Sequence, residues 1–345
     1  MQIYLDSFGA FLAVRQGMFA VRTKHAGERL FATREVTAIL MTRGTGMSTD
    51  AALLAVGEDI PVLLIDAQTH FPLAGISSGR PGSIASIRKN QALFARTAAG
   101  FEWAGAQIAG KIAAQRNLLQ HYSEHPAATP AYREAHADAD GVLRAMEKSM
   151  RSLPAPDARN WNAAHMETLA QRLRGLEGTA SRLYFQQIAR LLPAPYAGFQ
   201  GRVKRPAYDP FNALLNYLYG MLYTTVHLSM LKAGVDPHIG VLHADRYGGA
   251  PVLVFDAIEP FRPWADAVAL RLVLEAGLSP DVFEVRDDTE GLWLSTAGKD
   301  LVIDAMLACL EEYIAPEGED RRARRKVLID RQARELAATL LDLET

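Results

Sequence analysis

The chain changes texture near residue 79, and that change restricts the fold more than any other feature. From Met1 to about Gly79 the apolar runs are short and rich in β-formers: Ile3-Tyr4-Leu5, Phe11-Leu12-Ala13-Val14, Met18 to Val21, Val36 to Met41 and Val62 to Ile65. Turn residues separate them, as at Asp6-Ser7-Phe8-Gly9, Gln16-Gly17 and Gly44-Thr45-Gly46. One helix interrupts the strands, capped by Ser48 or Thr49 and ending near Gly57. Gly75 to Gly82, with its glycines, serines and proline, reads as a linker. Beyond it apolar residues recur at helical spacing, as in Met166, Leu169, Leu173, Leu176, Ala180 and Leu183. A second clear helix runs from about Phe211 to Lys232 and stops at Gly234 before Pro237. Further helices are expected near 84–121, 138–150, 264–277, 297–313 and 321–341, with a surface loop from Ser123 to Tyr132. The run Pro251 to Phe255 fits a buried strand or a buried helix. The fold class is therefore α+β: a small β-rich domain over 1–79, then a larger all-α domain over 80–345.

Composition removes several classes of function. The chain is 49% hydrophobic and 22% charged, which is ordinary for a globular protein. Its net charge of −2 argues against a uniformly basic nucleic-acid binder, so any DNA contact must come from local cationic clusters. A single cysteine, Cys309, excludes a disulfide framework and a cysteine-based zinc site. The start of the chain lacks the pattern of a signal peptide, and no apolar stretch is long enough for a transmembrane helix, so no membrane association is expected. The cytoplasm is the expected location. Walker A, His-Glu-x-x-His and Gly-x-Ser-x-Gly patterns are absent.

Chemistry concentrates in three regions. Between 234 and 263, His243 follows an apolar triplet, and Asp256 and Glu259 follow another apolar run. A histidine with carboxylates suits a hard divalent cation such as Mg²⁺ or Mn²⁺. The Asp256-x-x-Glu259 spacing fits a helix capping box equally well. In the second region Glu177 sits at the edge of a buried helical stripe, flanked by Gly175 and Gly178 and followed by Tyr184 and Phe185. Two glycines inside a helix suggest close approach of another backbone or of a ligand. The alternative is a solvated glutamate. The third region carries Arg202, Lys204 and Arg205 just before Asp209-Pro210, an N-cap with proline at the first helical position. These cations can hold DNA phosphates or form an ordinary basic loop. The run Arg321 to Lys326 either binds phosphate or offsets Glu317, Glu319 and Asp320.

Read together, the regions resemble the CRISPR-associated integrase, the "Cas one" endonuclease family, over nearly the whole chain. The resemblance rests on Leu5 to Gly9, Ile39 to Ser48, Gly57 to Val62, Arg88 to Gln91, Arg205 to Asn216, Ala233 to His243 and Leu253 to Pro263. It implies a divalent metal, Mg²⁺ or Mn²⁺, held by Glu177, His243 and Glu259 as catalytic residues, with Asp256 behind them or as an alternative ligand. It also implies a metal-dependent DNA endonuclease and strand-transferase, in which a DNA 3′-hydroxyl attacks a phosphodiester and foreign fragments enter a CRISPR array. Double-stranded DNA would be gripped by Arg202, Lys204 and Arg205. A homodimer formed through 1–79 and a small second adaptation protein of the "Cas two" family are the implied partners. The competing expectation is a non-catalytic DNA-binding scaffold of the same assembly.

Overall fold

The computed structural model describes residues 1–24, 27–76, 83–151, 163–204, 206–242, 250–286, 289–316 and 319–343. The N-terminal strands are β1 (Gln2–Leu5), β2 (Phe11–Arg15), β3 (Met18–Thr23), β4 (Gly27–Phe31), β5 (Ala38–Met41) and β6 (Gly46–Met47). Helix α1 (Thr49–Gly57) follows, then β7 (Val62–Ile65) and β8 (Pro72–Ile76). Ser48 caps α1 by accepting from Ala51 N–H at 3.1 Å. Two sheets form, in the orders β1-β5-β7-β8 and β4-β3-β2-β6. Strands β1, β5 and β7 are parallel, with Ile3 beside Ile39 and Ile39 beside Val62, and β8 closes that sheet antiparallel.

Period-two alternation assigns the two faces of this sheet. Ile3, Leu5, Ile39, Met41 and Val62 pack with Leu12 and Phe19 of the other sheet. Ala38, Leu40, Leu63 and Ile65 point the other way, onto Leu228 of the helical part. Burial on both faces explains why β5 and β7 read as continuous apolar runs.

The helical part comprises α2 (Ser83–Phe94), α3 (Ala98–Ser123), α4 (Pro130–Arg151), α5 (Ala163–Leu191), α6 (Pro210–Lys232), α7 (Val252–Ala257) and α8 (Arg262–Leu270). A hairpin of β9 (Phe283–Arg286) and β10 (Thr289–Leu294) precedes α9 (Thr296–Glu311). A short pair, β11 (Tyr313–Ile314) and β12 (Ala323–Arg324), leads into α10 (Arg325–Leu341). Helix α6 is the axle of the domain. Asp209 caps it, accepting from Asn212 N–H at 2.8 Å, and Gly234, at φ +78°, ends it. It is apolar on nearly every side and buried accordingly, against α8 and α10 and against the β7–β8 corner. At that corner Gly220 meets Thr69 so closely that an added Cβ would stand 1.7 Å from the Thr69 carbonyl oxygen.

The expected helix over 84–121 is two helices. The chain turns tightly after Phe94, Thr97 caps α3 by accepting from Gly100 N–H at 3.1 Å, and Gly100 packs on the Phe94 carbonyl, where a Cβ would come within 2.2 Å. Helix α4 begins at Pro130, so Tyr132, expected in a surface loop, is buried instead. Proline at the first helical position supports that earlier start. The ambiguous 251–255 run is helical, within α7. Helix α10 starts at Arg325, because Ala323–Arg324 pair with Tyr313–Ile314. Most of the expected linker, 77–82, lies outside the described residues.

Candidate metal and nucleic-acid site

Two helices and a turn bring the site together. Lys111 projects from α3, Glu177 from α5 and Glu259 from the turn Glu259–Phe261 after α7. The Lys111 ammonium lies 2.5 Å from Glu177 Oε1 and 2.7 Å from Glu259 Oε2, so two carboxylates 82 residues apart share one cationic point. Lys111 and Glu259 side chains are 7% and 8% exposed, whereas Glu177 is 31% exposed. Burial works to discharge Lys111, but the charges of Glu259 and Glu177 outweigh it and hold its ammonium above the usual lysine value. Ser181, one turn along α5, donates to Glu177 Oε1 at 3.0 Å. Arg262 donates from Nε to Glu259 Oε1 at 2.8 Å, and its own charge is reinforced by Glu259 in spite of burial. Gly110 lets α3 approach this turn, with Pro260 Cβ 3.3 Å from where a Cβ would stand.

Among the described residues, Gly175 and Gly178 mark no close approach. No described residue comes within 4 Å of a Cβ added at either, and both are exposed. The surface of α5 on either side of Glu177 is therefore bare and open, which leaves room for a bulky ligand.

Asp256 is not part of a capping box. It lies near the end of α7, and its Oδ2 accepts from the backbone N–H groups of Val241 at 2.7 Å and Leu242 at 3.1 Å. That contact fixes the chain immediately before His243. The rest of the approach is fastened as firmly. Gln91 donates to the carbonyls of Asp236 and Ile239 at 2.7 and 2.9 Å and accepts from Asp236 N–H at 3.0 Å. Leu253 N–H donates to the Pro237 carbonyl at 2.9 Å. Gly240 sits so close to Asp256 that a Cβ would be 3.2 Å from the carboxylate. His243 itself, with Asp245, lies outside the described residues, as does Arg205. Among the described residues no group of three His, Cys, Asp or Glu side chains is placed to hold a metal ion.

Beyond Arg262 a cavity of about 440 Å³ opens between α6 and α7, lined by Arg202, Lys204, Tyr219, Tyr223, Phe255 and Arg262 among others. Arg202 reaches it in a fixed pose, donating to Asn212 Oδ1 at 3.0 Å and Asn216 Oδ1 at 2.7 Å. The mixture of cationic and aromatic walls suits a phosphate joined to a flat ring. Beneath the cavity, Asp266 is wholly buried and accepts from Tyr219 at 2.6 Å and Tyr184 at 2.9 Å. Burial pushes its carboxyl up to about 6 against those two hydrogen bonds. Cys309 is buried in the helical core, and burial raises its thiol pKa.

The 321–326 basic run is largely engaged elsewhere. Arg324 and Lys326 pair with Glu311, Arg325 pairs with Glu312, and Arg322 donates to the Tyr313 carbonyl at 2.9 Å. These partners close the end of α9. Glu319, expected to offset the run, pairs instead with Arg331 at 2.6 Å.

Lys111, Arg262, Asp266 and Tyr219 were not singled out from the sequence. Lys111 left a signal: with Ala104, Ile108 and Gln115 it forms a buried stripe at helical spacing, and a lysine on such a stripe requires a buried counter-charge.

The profile of the family described as "CRISPR associated protein Cas1" matches residues 3–307. A relative named CRISPR-associated endonuclease Cas1 1, from Thermus thermophilus, is 31% identical over 342 residues, covering 99% of this chain and 96% of the relative. Among solved structures, a casposase bound to an integration product superposes with a TM-score of 0.78 at 18% identity, covering 99% of this chain and 90% of that one. A Cas6-RT-Cas1–Cas2 complex superposes at 0.75 and 20% identity, covering 99% of this chain and 35% of that one.

Proposed function

The chain belongs to the CRISPR-associated Cas1 family, and we propose that it cuts and joins DNA strands at a divalent metal held by Glu177, His243 and Glu259. The observation that carries this reading is the convergence of Glu177 and Glu259 on one buried cationic point, with the backbone up to Leu242 pinned by Gln91 and by Asp256, three residues before Glu259. The donor set fits a metal. Two carboxylate oxygens already lie within 2.7 Å of a single cation, and His243, next in sequence after the fastened segment, would add a nitrogen. Oxygen-rich sets with one imidazole suit Mg²⁺ or Mn²⁺. When bound, the ion supplies activation of a DNA 3′-hydroxyl and neutralises charge on the phosphoryl oxygens.

The protein's own groups supply the rest. Arg262 orients Glu259 from behind. Arg202 and Lys204, joined by Arg205 in the same segment, offer positive charge to DNA phosphates, which positions a strand without reading its sequence. The open flank of α5 at Gly175 and Gly178 leaves Glu177 accessible to a DNA backbone. Transesterification exchanges one phosphodiester for another, so no covalent protein intermediate is needed. Water in place of the 3′-hydroxyl gives endonuclease cleavage.

The names of the relatives supply the context: an endonuclease, an integrating enzyme held with its DNA product, and an assembly containing Cas2. The corresponding role here is insertion of DNA fragments into a CRISPR array, by a homodimer formed through the β-rich region of 1–79 and joined to a Cas2 protein in the cytoplasm. No helix among the described residues is long and apolar enough to cross a membrane.

The test is a labelled branched DNA incubated with the protein in Mn²⁺, Mg²⁺ or EDTA. Wild type should give joined and released strands only with metal, and His243→Ala or Glu259→Gln should give none while still binding DNA. Equal products from wild type and variants, or products in EDTA, would overturn the assignment and leave a DNA-binding scaffold as the better reading.

A further inference from the structure

One ring connects the two halves of the site. The guanidinium carbons of Arg202 and Arg262 lie 5.0 and 5.1 Å from the centroid of Tyr219. Arg262 goes on to Glu259, and Arg202 goes on to the cavity wall with Lys204. The Tyr219 hydroxyl is fixed from below by Asp266, which Tyr184 holds in turn. We propose that Tyr219, anchored by Asp266, is a positioning residue that sets both arginines at once, so that the metal ligand Glu259 and the phosphate-binding Arg202 share one support. The inference rests on the metal-site reading given above.

The physical case has three parts. Two cations near one another repel, and an aromatic face attracts each of them, more strongly where water is excluded. Burial is the main force on Arg202, lowering its pKa, so its guanidinium is poorly hydrated and depends on protein partners. Tyr219 is itself buried and keeps its proton, because burial and Asp266 both push its pKa upward. It therefore donates to the carboxylate, which fixes the tilt of the ring and enriches its face in negative charge. Without the ring, Arg202 keeps Asn212 and Asn216 and Arg262 keeps Glu259, but neither keeps a fixed distance from the other.

The test uses the full chain and two binding measurements that need no turnover. Mn²⁺ affinity is read by calorimetry without DNA, and affinity for a fluorescent duplex with a 3′ overhang is read in EDTA. Tyr219→Leu should weaken both by about tenfold, the loss of one desolvated cation–π contact on each side. Tyr219→Phe keeps the ring and should lose less than about threefold in each. Arg262→Gln should weaken mainly Mn²⁺ binding, and Arg202→Gln mainly DNA binding. If Tyr219→Leu does not fold, Tyr219→Met, which also removes the ring, takes its place and must weaken both ligands together. Unchanged affinities in Tyr219→Leu, with only a lower melting temperature, would reduce Tyr219 to packing and overturn the inference. Equal losses in Tyr219→Phe and Tyr219→Leu would overturn the role of the ring. Wild type that takes up no Mn²⁺ contradicts the metal site itself, and the inference falls with it. Wild type that binds Mn²⁺ no better than Tyr219→Leu, with DNA affinity also unchanged, refutes the inference alone.

Discussion

Replacing Lys111 with methionine separates structural from chemical roles in the site. The Lys111 side chain is 7% exposed and faces those of Glu259, 8% exposed, and Glu177, 31% exposed. Removing one partner from a buried ion pair costs about 3–5 kcal/mol, because the remaining charge is left without compensation. Two features place this case at the lower end. Glu259 keeps Arg262 on its other oxygen, and Glu177 can turn towards water. The expected loss is therefore about 3 kcal/mol in metal-free buffer. For a chain of 345 residues, an unfolding entropy of about 2.1 cal/mol/K per residue converts this to a fall in melting temperature of roughly 4 °C. Mn²⁺ should restore most of the variant's loss while raising wild type less, since in the variant no ammonium competes for the same two oxygens. Circular dichroism melts with EDTA and with Mn²⁺ provide the comparison. A fall that Mn²⁺ does not reverse, or no fall at all in EDTA, would refute the claim that Lys111 stands where the metal binds.

Other perturbations reach different parts of the structure. Asp256→Ala removes the acceptor for two backbone N–H groups just before His243, and should lower Mn²⁺ affinity by about tenfold or more in calorimetry while DNA binding in EDTA stays within twofold. Gly220→Ala forces a methyl against the Thr69 carbonyl and should cost about 3 kcal/mol or more in urea unfolding. Asp266 has its native carboxyl raised to about 6, so between about pH 4 and 6 the folded state holds a proton that the unfolded chain has released. Stability from this group therefore declines as pH rises through that window. In Asp266→Asn that decline should be absent, as judged by urea midpoints at both ends of the window.

Much of the fold is written locally. The apolar runs of β5 and β7, the Asp209-Pro210 start of α6 and the Gly234 stop each act within a few residues, and each appears in the sequence as it does in space. What was illegible depends on contacts that periodicity does not encode, most of them with distant partners. The break between α2 and α3 is fixed by Gly100 packing on a carbonyl, which helical periodicity cannot reveal. Asp256 has the spacing of a capping box but spends its carboxylate on backbone fifteen residues earlier. The glycines beside Glu177 signalled close approach of a backbone or a ligand, and among the described residues no backbone makes one. Lys111 and Asp266 stood unnoticed in apolar helices because their partners come from other elements. Glu177 and Glu259 were identified through family resemblance, and the structure brings them to one point; their local patterns alone suited a solvated glutamate and a cap.

The most direct test of the metal assignment is anomalous scattering from a crystal soaked in Mn²⁺. If Glu177, His243 and Glu259 hold the ion, a single strong peak will lie between the two carboxylates, with the imidazole nitrogen of His243 at about 2.2 Å and the Lys111 ammonium displaced from its present place. A soaked crystal with no peak there, with Lys111 still bridging Glu177 and Glu259, would contradict it.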